Sequence, residues 1–327
     1  MINLMLMPCT PETTTYATAA DELAAGLMLD GATISPKFLY DALGSKLFEA
    51  ICELPEYYPT RTEAGIFEQH GAAMARAAGS GTTLIDLGAG NCAKAASLFP
   101  LLQPRQYVAV DISADFVTDA LNRLQQRFPA IGMQALGIDF SSELPLPESV
   151  RSAQRLFFYP GSSIGNFAPD AALAFLQRVH AACGTDGALL IGIDLEKDHA
   201  VLDAAYDDAL GVTGAFNLNI LRHANTLLGS DFDVRQWRHE GFFNPALSRV
   251  EMHLTARCSQ TVRWPGGARR FDEGERIHTE NSYKYREANA VDLLARAGFV
   301  DAQVWTDPEN WFAVIYAKAG AAPGVAL

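Results

Sequence analysis

The sequence is poor in cysteine and histidine. It has five cysteines in 327 residues and no C-x-x-C pair, which excludes a disulfide scaffold and favours a reducing compartment. Only seven residues are histidines, and the last four of them do not have the short spacing of metal ligands. These are His223, His239, His253 and His278. We interpret them as unrelated surface or core residues and predict no metal.

Basic residues and long apolar runs are also lacking. Lys and Arg number 25 against 38 Asp and Glu, for a formal net charge of -13. This charge repels nucleic acids and anionic membranes, so neither is a predicted partner. No segment approaches the roughly 20 apolar residues of a membrane helix, and apolar residues 1–8 are too short for a signal peptide. We expect a cytoplasmic, monomeric enzyme with a small-molecule substrate.

The pattern of apolar residues predicts a mixed α/β fold. Apolar spacing of three and four predicts helices over 19–29, 36–54 and 60–78. Strands alternating with helices then predict a parallel sheet. The predicted strands are 83–87, 106–110, 132–138, 155–159 and 188–194. Beyond residue 196 we expect two helical stretches, an antiparallel ribbon over 249–263 and 269–285, a helix over 287–297 and a closing hairpin over 300–307 and 310–317.

The first predicted strand leads into the most informative motif. It runs into Gly88-Ala89-Gly90, and the second strand is followed directly by Asp111. Glycines let the backbone approach a ligand closely, and an acid at a strand tip can accept both hydroxyls of a ribose. The spacing from Gly90 to Asp111 suits one crossover helix. The motif therefore predicts a cofactor that contains adenosine.

Two cofactor classes fit this loop. With Ala93 as a tolerated variant of the third glycine, spacing alone does not exclude NAD. Asp86, however, would repel a pyrophosphate, and the D-x-G-x-G pattern resembles motif I of class I S-adenosylmethionine-dependent methyltransferases. The third strand runs to Asp139-Phe140, where such enzymes hold the adenine. The series favours a methyltransferase over a dehydrogenase.

Polar and aromatic residues elsewhere could form the substrate pocket. Asn166 follows the fourth strand, at the sheet edge where ligands bind. Glu280 and Ser282 would share one face of a strand, although spacing alone favours an exposed strand with polar residues outward. The aromatic residues of 40–58 could be core residues or an aromatic cage for an amine.

Taken together, these motifs resemble the histidine Nα-methyltransferases of ergothioneine biosynthesis, over nearly the whole chain. The resemblance rests on Tyr40-Asp41, Pro55-Glu56-Tyr57-Tyr58-Pro59-Thr60-Arg61-Thr62-Glu63, Ala204-Ala205-Tyr206-Asp207-Asp208, Gly161-Ser162-Ser163-Ile164-Gly165-Asn166-Phe167 and Thr279-Glu280-Asn281-Ser282. It implies three methyl transfers from S-adenosylmethionine to L-histidine, giving hercynine. It also implies a Rossmann-like class I methyltransferase core, with a mostly parallel sheet and an antiparallel last strand. We assign 61–196 and 286–327 to this core, and 1–60 and 197–285 to an α+β substrate-binding module.

The resemblance also implies roles for individual residues. Glu280 and Ser282 would hold the imidazole, and Asn166 and Tyr206 the carboxylate. Tyr40 and Tyr57 would lie near the α-amine, with Phe48 and Met252 shaping the pocket. We expect the amine proton to leave to solvent, assisted by Tyr40, Tyr57 or a carbonyl such as that of Gly161. On the cofactor side, Gly88, Gly90 and Lys94 would face the methionine portion, Asp111 the ribose, and Asp139 and Phe140 the adenine.

Two positions depart from the family pattern. Asn281 and Tyr283 replace smaller residues, but both should point away from the substrate if the strand register holds. Other possibilities are a methyltransferase for another amino acid or amine, a dehydrogenase, and a binding protein without activity. No histidine stands out as a general base.

Overall fold

The computed structural model describes residues 18–112 and 114–321; the predictions for residues 1–8 and for the two chain ends lie outside them. The described chain begins with helices α1 (Ala19–Leu27), α2 (Ala42–Cys52) and α3 (Tyr58–Ala78), with a short 3-10 helix at Pro36–Leu39. The prediction of one continuous helix over 36–54 is wrong. Asp41 has extended backbone, and its carboxylate accepts a hydrogen bond from the Gly44 amide at 2.7 Å, so a new helix begins there.

The predicted alternation of strands and helices is confirmed in the middle of the chain. The elements are β1 (Thr83–Leu87), α4 (Ala93–Leu102), β2 (Gln106–Asp111), α5 (Ala114–Arg127), β3 (Gly132–Gly137), β4 (Arg155–Tyr159), α6 (Pro169–Cys183) and β5 (Ala188–Asp194). Every residue of β5 is buried, as expected for a strand covered on both faces. Each predicted strand lies within one residue of the observed one.

The region after β5 forms a second sheet. Its elements are α7 (His199–Tyr206), α8 (Val212–Leu228), β6 (Trp237–Asn244), β7 (Arg249–Ala256), β8 (Gln260–Trp264), β9 (Gly267–Phe271) and β10 (Arg276–Tyr283). β7 lies between β6 and β10 and is antiparallel to both, while β8 and β9 form a separate hairpin. The predicted ribbon is therefore present, but β6 was not predicted, and each of the two long strand-like runs is divided in two.

The chain closes with α9 (Glu287–Arg296), β11 (Phe299–Thr306) and β12 (Phe312–Ala319). These two strands complete a seven-stranded sheet in the order β11-β12-β5-β4-β1-β2-β3. β12 is antiparallel to both neighbours, and β5, β4, β1, β2 and β3 are mutually parallel. The predicted fold class is confirmed. Because the carboxyl ends of parallel strands meet at one edge, the loops after β1, β2 and β4 lie together there.

Three hydrophobic clusters form the core of the described chain. One combines the N-terminal helices with the region 202–277. The other two contain the residues of the main sheet and the helices against it. This separation supports the division into a sheet-based core and a substrate module, which stays a prediction. Among the described residues, no helix has both the length and the apolar character needed to cross a membrane.

Candidate functional site

The loop after β1 is held against the end of β2. Gly88 and Gly90 have positive φ values of 73° and 51°, which favour glycine because a side chain is strained there. The Gly88 amide donates to the Val110 carbonyl at 2.8 Å, and the Gly90 amide donates to an Asp111 carboxylate oxygen at 3.0 Å. The loop and the acid that the sequence predicts for cofactor binding are therefore in contact.

The predicted adenine residues lie at the same sheet edge. A Cβ on Gly88 would lie 3.7 Å from the Phe140 ring, and this ring is 6.0 Å from that of Tyr159 on β4. Asp139 precedes it, with a carboxylate that accepts from the Ser141 amide at 3.1 Å and remains partly exposed. This site fits an adenosine-containing ligand. The glycine loop lets the backbone approach the ligand, Asp111 places a carboxylate at a strand tip, and Phe140 places a ring beside the loop.

Asp86, the acid of the loop motif, lies inside the sheet. Its side chain is buried and accepts a hydrogen bond from the Tyr107 hydroxyl at 2.7 Å. Burial raises the pKa of this carboxyl from 3.8 to about 7, and the Tyr107 hydrogen bond opposes the rise. Asp86 therefore lies in the interior of the sheet, bonded to the neighbouring strand β2, and is not exposed to a ligand.

Glu63 connects the cofactor loop to the loop after β4. The fully buried Glu63 carboxylate accepts from the Lys94 ammonium at 2.6 Å and from the Gly161 amide at 2.8 Å. Gly192 leaves the space for it, because a Cβ there would lie 2.1 Å from a Glu63 oxygen. Sequence reasoning assigned roles to Lys94 and Gly161 and missed Glu63, although this residue stands in one of the motifs that carry the resemblance.

The predicted imidazole-binding residues lie on the buried face of β10. Glu280 and Ser282 are 7% and 5% exposed, so the alternative of outward polar residues is wrong. The Asn166 amide donates to a Glu280 oxygen at 3.3 Å. Burial raises the pKa of Glu280 from 4.5 to about 7, while the positive charge of Lys284 and the Asn166 hydrogen bond lower it.

Ser282 belongs to a buried polar network that also contains Tyr206. The Tyr206 hydroxyl donates to the Ser282 hydroxyl at 2.8 Å, and the Lys284 ammonium donates to both, at 2.8 Å for Ser282 and 3.1 Å for Tyr206. Lys284 also pairs with Asp194 at 2.7 Å. Burial would raise the pKa of Asp194, but Lys284 and Lys197 hold it below its usual value.

Sequence reasoning missed Lys284 and Asp194. Lys284 continues the spacing of Glu280 and Ser282 by two further residues, so period-two alternation could have indicated it. Asp194 ends a strand that was predicted correctly, but its partners come from Tyr58, Lys197 and Lys284. The contact with Tyr58 joins residues 136 positions apart, which no local pattern reveals.

Aromatic rings surround this network. The ring of Phe48 lies 5.6 Å from that of Tyr40 and 6.0 Å from that of Tyr57, which in turn is 6.2 Å from Tyr206. Burial raises the pKa of the Tyr40 and Tyr57 phenols well above the usual value, so both stay protonated near neutral pH. Met252 is buried and pairs with Glu280 across the strands. These contacts connect the predicted residues Tyr40, Phe48 and Tyr57 with Tyr206, and Met252 with Glu280.

The other face of β10 carries the departures from the family pattern. Asn281 faces the His278 ring at 2.9 Å, and the Tyr283 hydroxyl accepts from Arg249 at 2.7 Å. On this face Glu251, His253 and His278 also meet, with ligand-capable atoms within 4.8 Å of one another. The interpretation of His253 and His278 as unrelated is therefore wrong, since their ring centroids are 5.0 Å apart.

The cluster on this outer face is held together by hydrogen bonds. Arg249 donates to one Glu251 oxygen at 2.8 Å, and the His253 ring lies 2.9 Å from the other. Both carboxylate oxygens therefore have partners, and a guanidinium occupies the space beside them. This hydrogen-bonded network lies on the far side of the sheet from the candidate site, and the buried Nδ1 atom of His253 has no hydrogen-bond partner among the described residues.

Comparison with known proteins gives consistent results. Residues 19–319 match the model of a family described as histidine-specific, SAM-dependent methyltransferases. The histidine N-alpha-methyltransferase of Mycolicibacterium smegmatis is 38% identical over 297 residues, 89% of this chain and 92% of that protein. The protein of the same name from Mycobacterium tuberculosis is 37% identical, with the same coverage. Ergothioneine biosynthesis protein 1 of Neurospora crassa is 29% identical over 86% of this chain, a region that makes up 32% of that protein.

Proposed function

Because the chain belongs to the family of histidine-specific, S-adenosylmethionine-dependent methyltransferases, we propose that it adds three methyl groups in succession to the α-nitrogen of L-histidine, giving hercynine. Histidine methylation with this cofactor, in ergothioneine synthesis, is the activity that the family and its relatives support. The roles of the individual site residues, given below, are also part of the proposal.

One observation carries this assignment to the site: the loop after β4 contacts both halves. At its start, the Gly161 amide reaches Glu63, which holds Lys94 of the helix after the glycine loop. At its end, the Asn166 amide reaches Glu280 of the substrate strand. A methyl donor on one side and an amino acid on the other would meet across this loop.

S-adenosylmethionine supplies an electrophilic methyl group; the positive-φ glycine loop would face its methionine portion and Asp111 its ribose. The chain's own residues would align the α-amine with that methyl and exclude water. Such alignment can contribute roughly 7–11 kcal/mol to the lowering of the barrier. Glu280 and Ser282 would orient the imidazole, and Asn166 would hold the carboxylate end. Tyr206, placed at the carboxylate by the resemblance, donates its hydroxyl proton to Ser282, so its role is to position that serine.

The amine must be neutral before each transfer, since an α-amino group is partly protonated near neutral pH. The raised pKa of Tyr40 and Tyr57 keeps both phenols protonated, so they orient the nitrogen and do not act as phenolate bases. The proton would leave to solvent, with the Gly161 carbonyl assisting. The surrounding ring faces would also tolerate a methylated, finally quaternary nitrogen.

The test is mass spectrometry of purified protein incubated with S-adenosylmethionine and L-histidine. We expect mass increases of one, two and three methyl groups, with fragmentation placing them on the α-nitrogen. Absence of any methylated histidine, with cofactor binding retained, would discard histidine as the substrate. A panel of other amino acids and amines would then test the alternative of a related N-methyltransferase.

The proposals on substrate class and cellular compartment rest on charge and composition. A net charge of -13 supports a small zwitterionic substrate over nucleic acid or an anionic membrane. Five cysteines without close pairs support a reducing cytoplasm. A monomer is the proposed state, and light scattering of the purified protein tests it.

A further inference from the structure

Lys284 is a fully buried cation whose three donors are all used. It is 0% exposed at the side chain, and its ammonium contacts Asp194 at 2.7 Å, Ser282 at 2.8 Å and Tyr206 at 3.1 Å. An ammonium has three N–H donors and no acceptor. Every one of these contacts therefore fills a lone pair on the partner oxygen.

The consequence for Ser282 follows from counting lone pairs. A hydroxyl oxygen has two acceptor sites and one proton. The Ser282 oxygen accepts from the Lys284 ammonium and from the Tyr206 hydroxyl, both at 2.8 Å. Both acceptor sites are then occupied, and the Ser282 proton is left to donate.

Glu280 supplies the opposite polarity on the same face of β10. Its carboxylate takes one hydrogen bond from Asn166 and has further lone pairs available. The pocket thus offers an acceptor at Glu280 and a donor at Ser282. A neutral imidazole has one N–H and one bare nitrogen, whereas an imidazolium has two N–H groups.

We propose that Lys284 is a positioning residue that fixes Ser282 as a hydrogen-bond donor, so that the pocket selects the neutral imidazole ring. This inference rests on the proposed function, since it concerns how the same site recognises the imidazole ring of histidine. Lys197 shares Asp194 with Lys284 but contacts Tyr58 and the Leu195 carbonyl in place of Ser282. Both lysines therefore neutralise the charge of Asp194, but of the two, Lys284 is the one that donates a hydrogen bond to Ser282.

The two lysines provide a matched pair of variants. Lys284→Met and Lys197→Met each remove one buried cation from Asp194. Calorimetry with S-adenosylhomocysteine present would compare histidine with thienylalanine, whose ring has neither N–H nor bare nitrogen. A pH of about 8.5 keeps Glu280 ionised in the native protein. We expect Lys284→Met to reduce the preference for histidine about tenfold or more, and Lys197→Met to leave that preference unchanged.

Kinetics and a double variant separate positioning from folding. In Lys284→Met, KM for histidine should rise more than kcat falls. In a Ser282→Ala background, Lys284→Met should cost no further histidine selectivity, because the hydroxyl on which it acts is gone. Equal losses of selectivity in both backgrounds, or equal effects of the two lysine variants, would overturn the proposal.

A spectroscopic measurement on the unaltered protein covers the case in which Lys284→Met does not fold. Ring-¹⁵N-labelled histidine bound with S-adenosylhomocysteine at a pH of about 8.5, where Glu280 is ionised, should show one protonated and one bare ring nitrogen. Two protonated nitrogens would refute the inference about Lys284 while leaving histidine as the substrate. Failure of the unaltered protein to bind histidine at all would refute the proposed function instead.

Discussion

Burial of the Glu280 carboxylate lowers the stability of the folded protein. Its carboxylate is 7% exposed, and the structure supplies one direct hydrogen bond, from Asn166, with Lys284 near enough to lower its pKa. The ionised form is therefore poorly solvated in the free protein. A ligand N–H would restore a missing donor, so the same feature that destabilises the free fold favours imidazole binding.

The Glu280→Gln variant should therefore be more stable and bind histidine less well. The pKa of Glu280 rises from 4.5 to about 7 on folding, so the folded state disfavours the charged form. The resulting loss of folding free energy is absent below pH 4.5 and complete above a pH of about 7. Since one pKa unit is about 1.4 kcal/mol, the full penalty is about 3 kcal/mol.

Denaturant unfolding across this pH range measures the effect. The stability gain of Glu280→Gln should grow as pH rises from 4.5 to about 7 and then level off. The same substitution at the exposed Glu143 serves as the control, and it should change the free energy of unfolding by no more than about 0.5 kcal/mol. A gain that is constant with pH, or an undiminished affinity for histidine, would contradict this account of Glu280.

At the residue level, the sequence predicts cofactor-side positions better than charge partners. Gly88, Gly90 and Asp111 follow from strand–loop patterns because neighbouring strand ends converge at one edge. Glu63 was missed because its role depends on Gly161, 98 residues away. Such partnerships are created by packing, and a single sequence does not contain the distances.

At the element scale, the break before α2 shows what periodicity cannot predict. Apolar spacing continues through residues 36–54, yet Asp41 ends one turn and starts another helix. Its carboxylate also accepts from the Asn219 amide of α8 at 2.7 Å. A tertiary contact therefore reinforces a local cap, and α2 carries Phe48 toward the aromatic rings of the pocket.

Replacing Asp41 with alanine should cost more than loss of an ordinary cap. The cap alone is worth about 1 kcal/mol, and the buried Asn219 amide loses its partner, at about 1–3 kcal/mol. We expect the free energy of unfolding to fall by about 2–4 kcal/mol. Asp119→Ala, on the exposed face of α5, should change it by no more than about 0.5 kcal/mol. Equal losses for the two variants would argue against the bridge.

Strand β6 was missed because its sequence does not look like a strand. The segment Trp237–Asn244 contains charged residues and Gly241, which usually weaken strands. A Cβ at Gly241 would lie 2.4 Å from the Tyr206 carbonyl, so glycine permits a close approach of α7. Pairing with β7 stabilises this segment, and pairing depends on residues distant in sequence.

The contact between the loop after β4 and β10 can be tested at Gly165. A Cβ there would lie 2.8 Å from the Tyr283 carbonyl oxygen, which is backbone and cannot rotate away. Gly165→Ala should shift Asn166 relative to Glu280, raising KM for histidine at least tenfold while S-adenosylhomocysteine affinity stays the same.

The control for Gly165→Ala is the same substitution at Gly65 of α3, where a Cβ meets nothing within 4 Å. Gly65→Ala should leave KM unchanged and stabilise the helix by up to about 1 kcal/mol. An unchanged KM in Gly165→Ala would show that the close contact does not position Asn166.

At the scale of the whole molecule, hydrogen bonds from the loop after β4 connect elements of two hydrophobic regions. The N-terminal helices and the second sheet pack together, while the main sheet has its own clusters. The loop after β4 makes two hydrogen bonds to other elements: Gly161 donates to Glu63 of α3, and Asn166 donates to Glu280 of β10. Since the loop contacts both predicted binding regions, ordering it for one ligand should lower the cost of binding the other.

The last prediction is therefore positive coupling between S-adenosylhomocysteine and histidine. Each should raise the other's affinity by the same factor, within roughly 5–150-fold. Calorimetric titration of each ligand, with and without the other, measures both factors and checks their equality. Glu63→Gln keeps an oxygen for Gly161 but loses the charge that holds Lys94, so it should reduce the coupling more than it reduces histidine binding alone. Independent binding of the two ligands, or coupling unchanged in Glu63→Gln, would mean that the loop positions the two halves of the site without linking their occupancy.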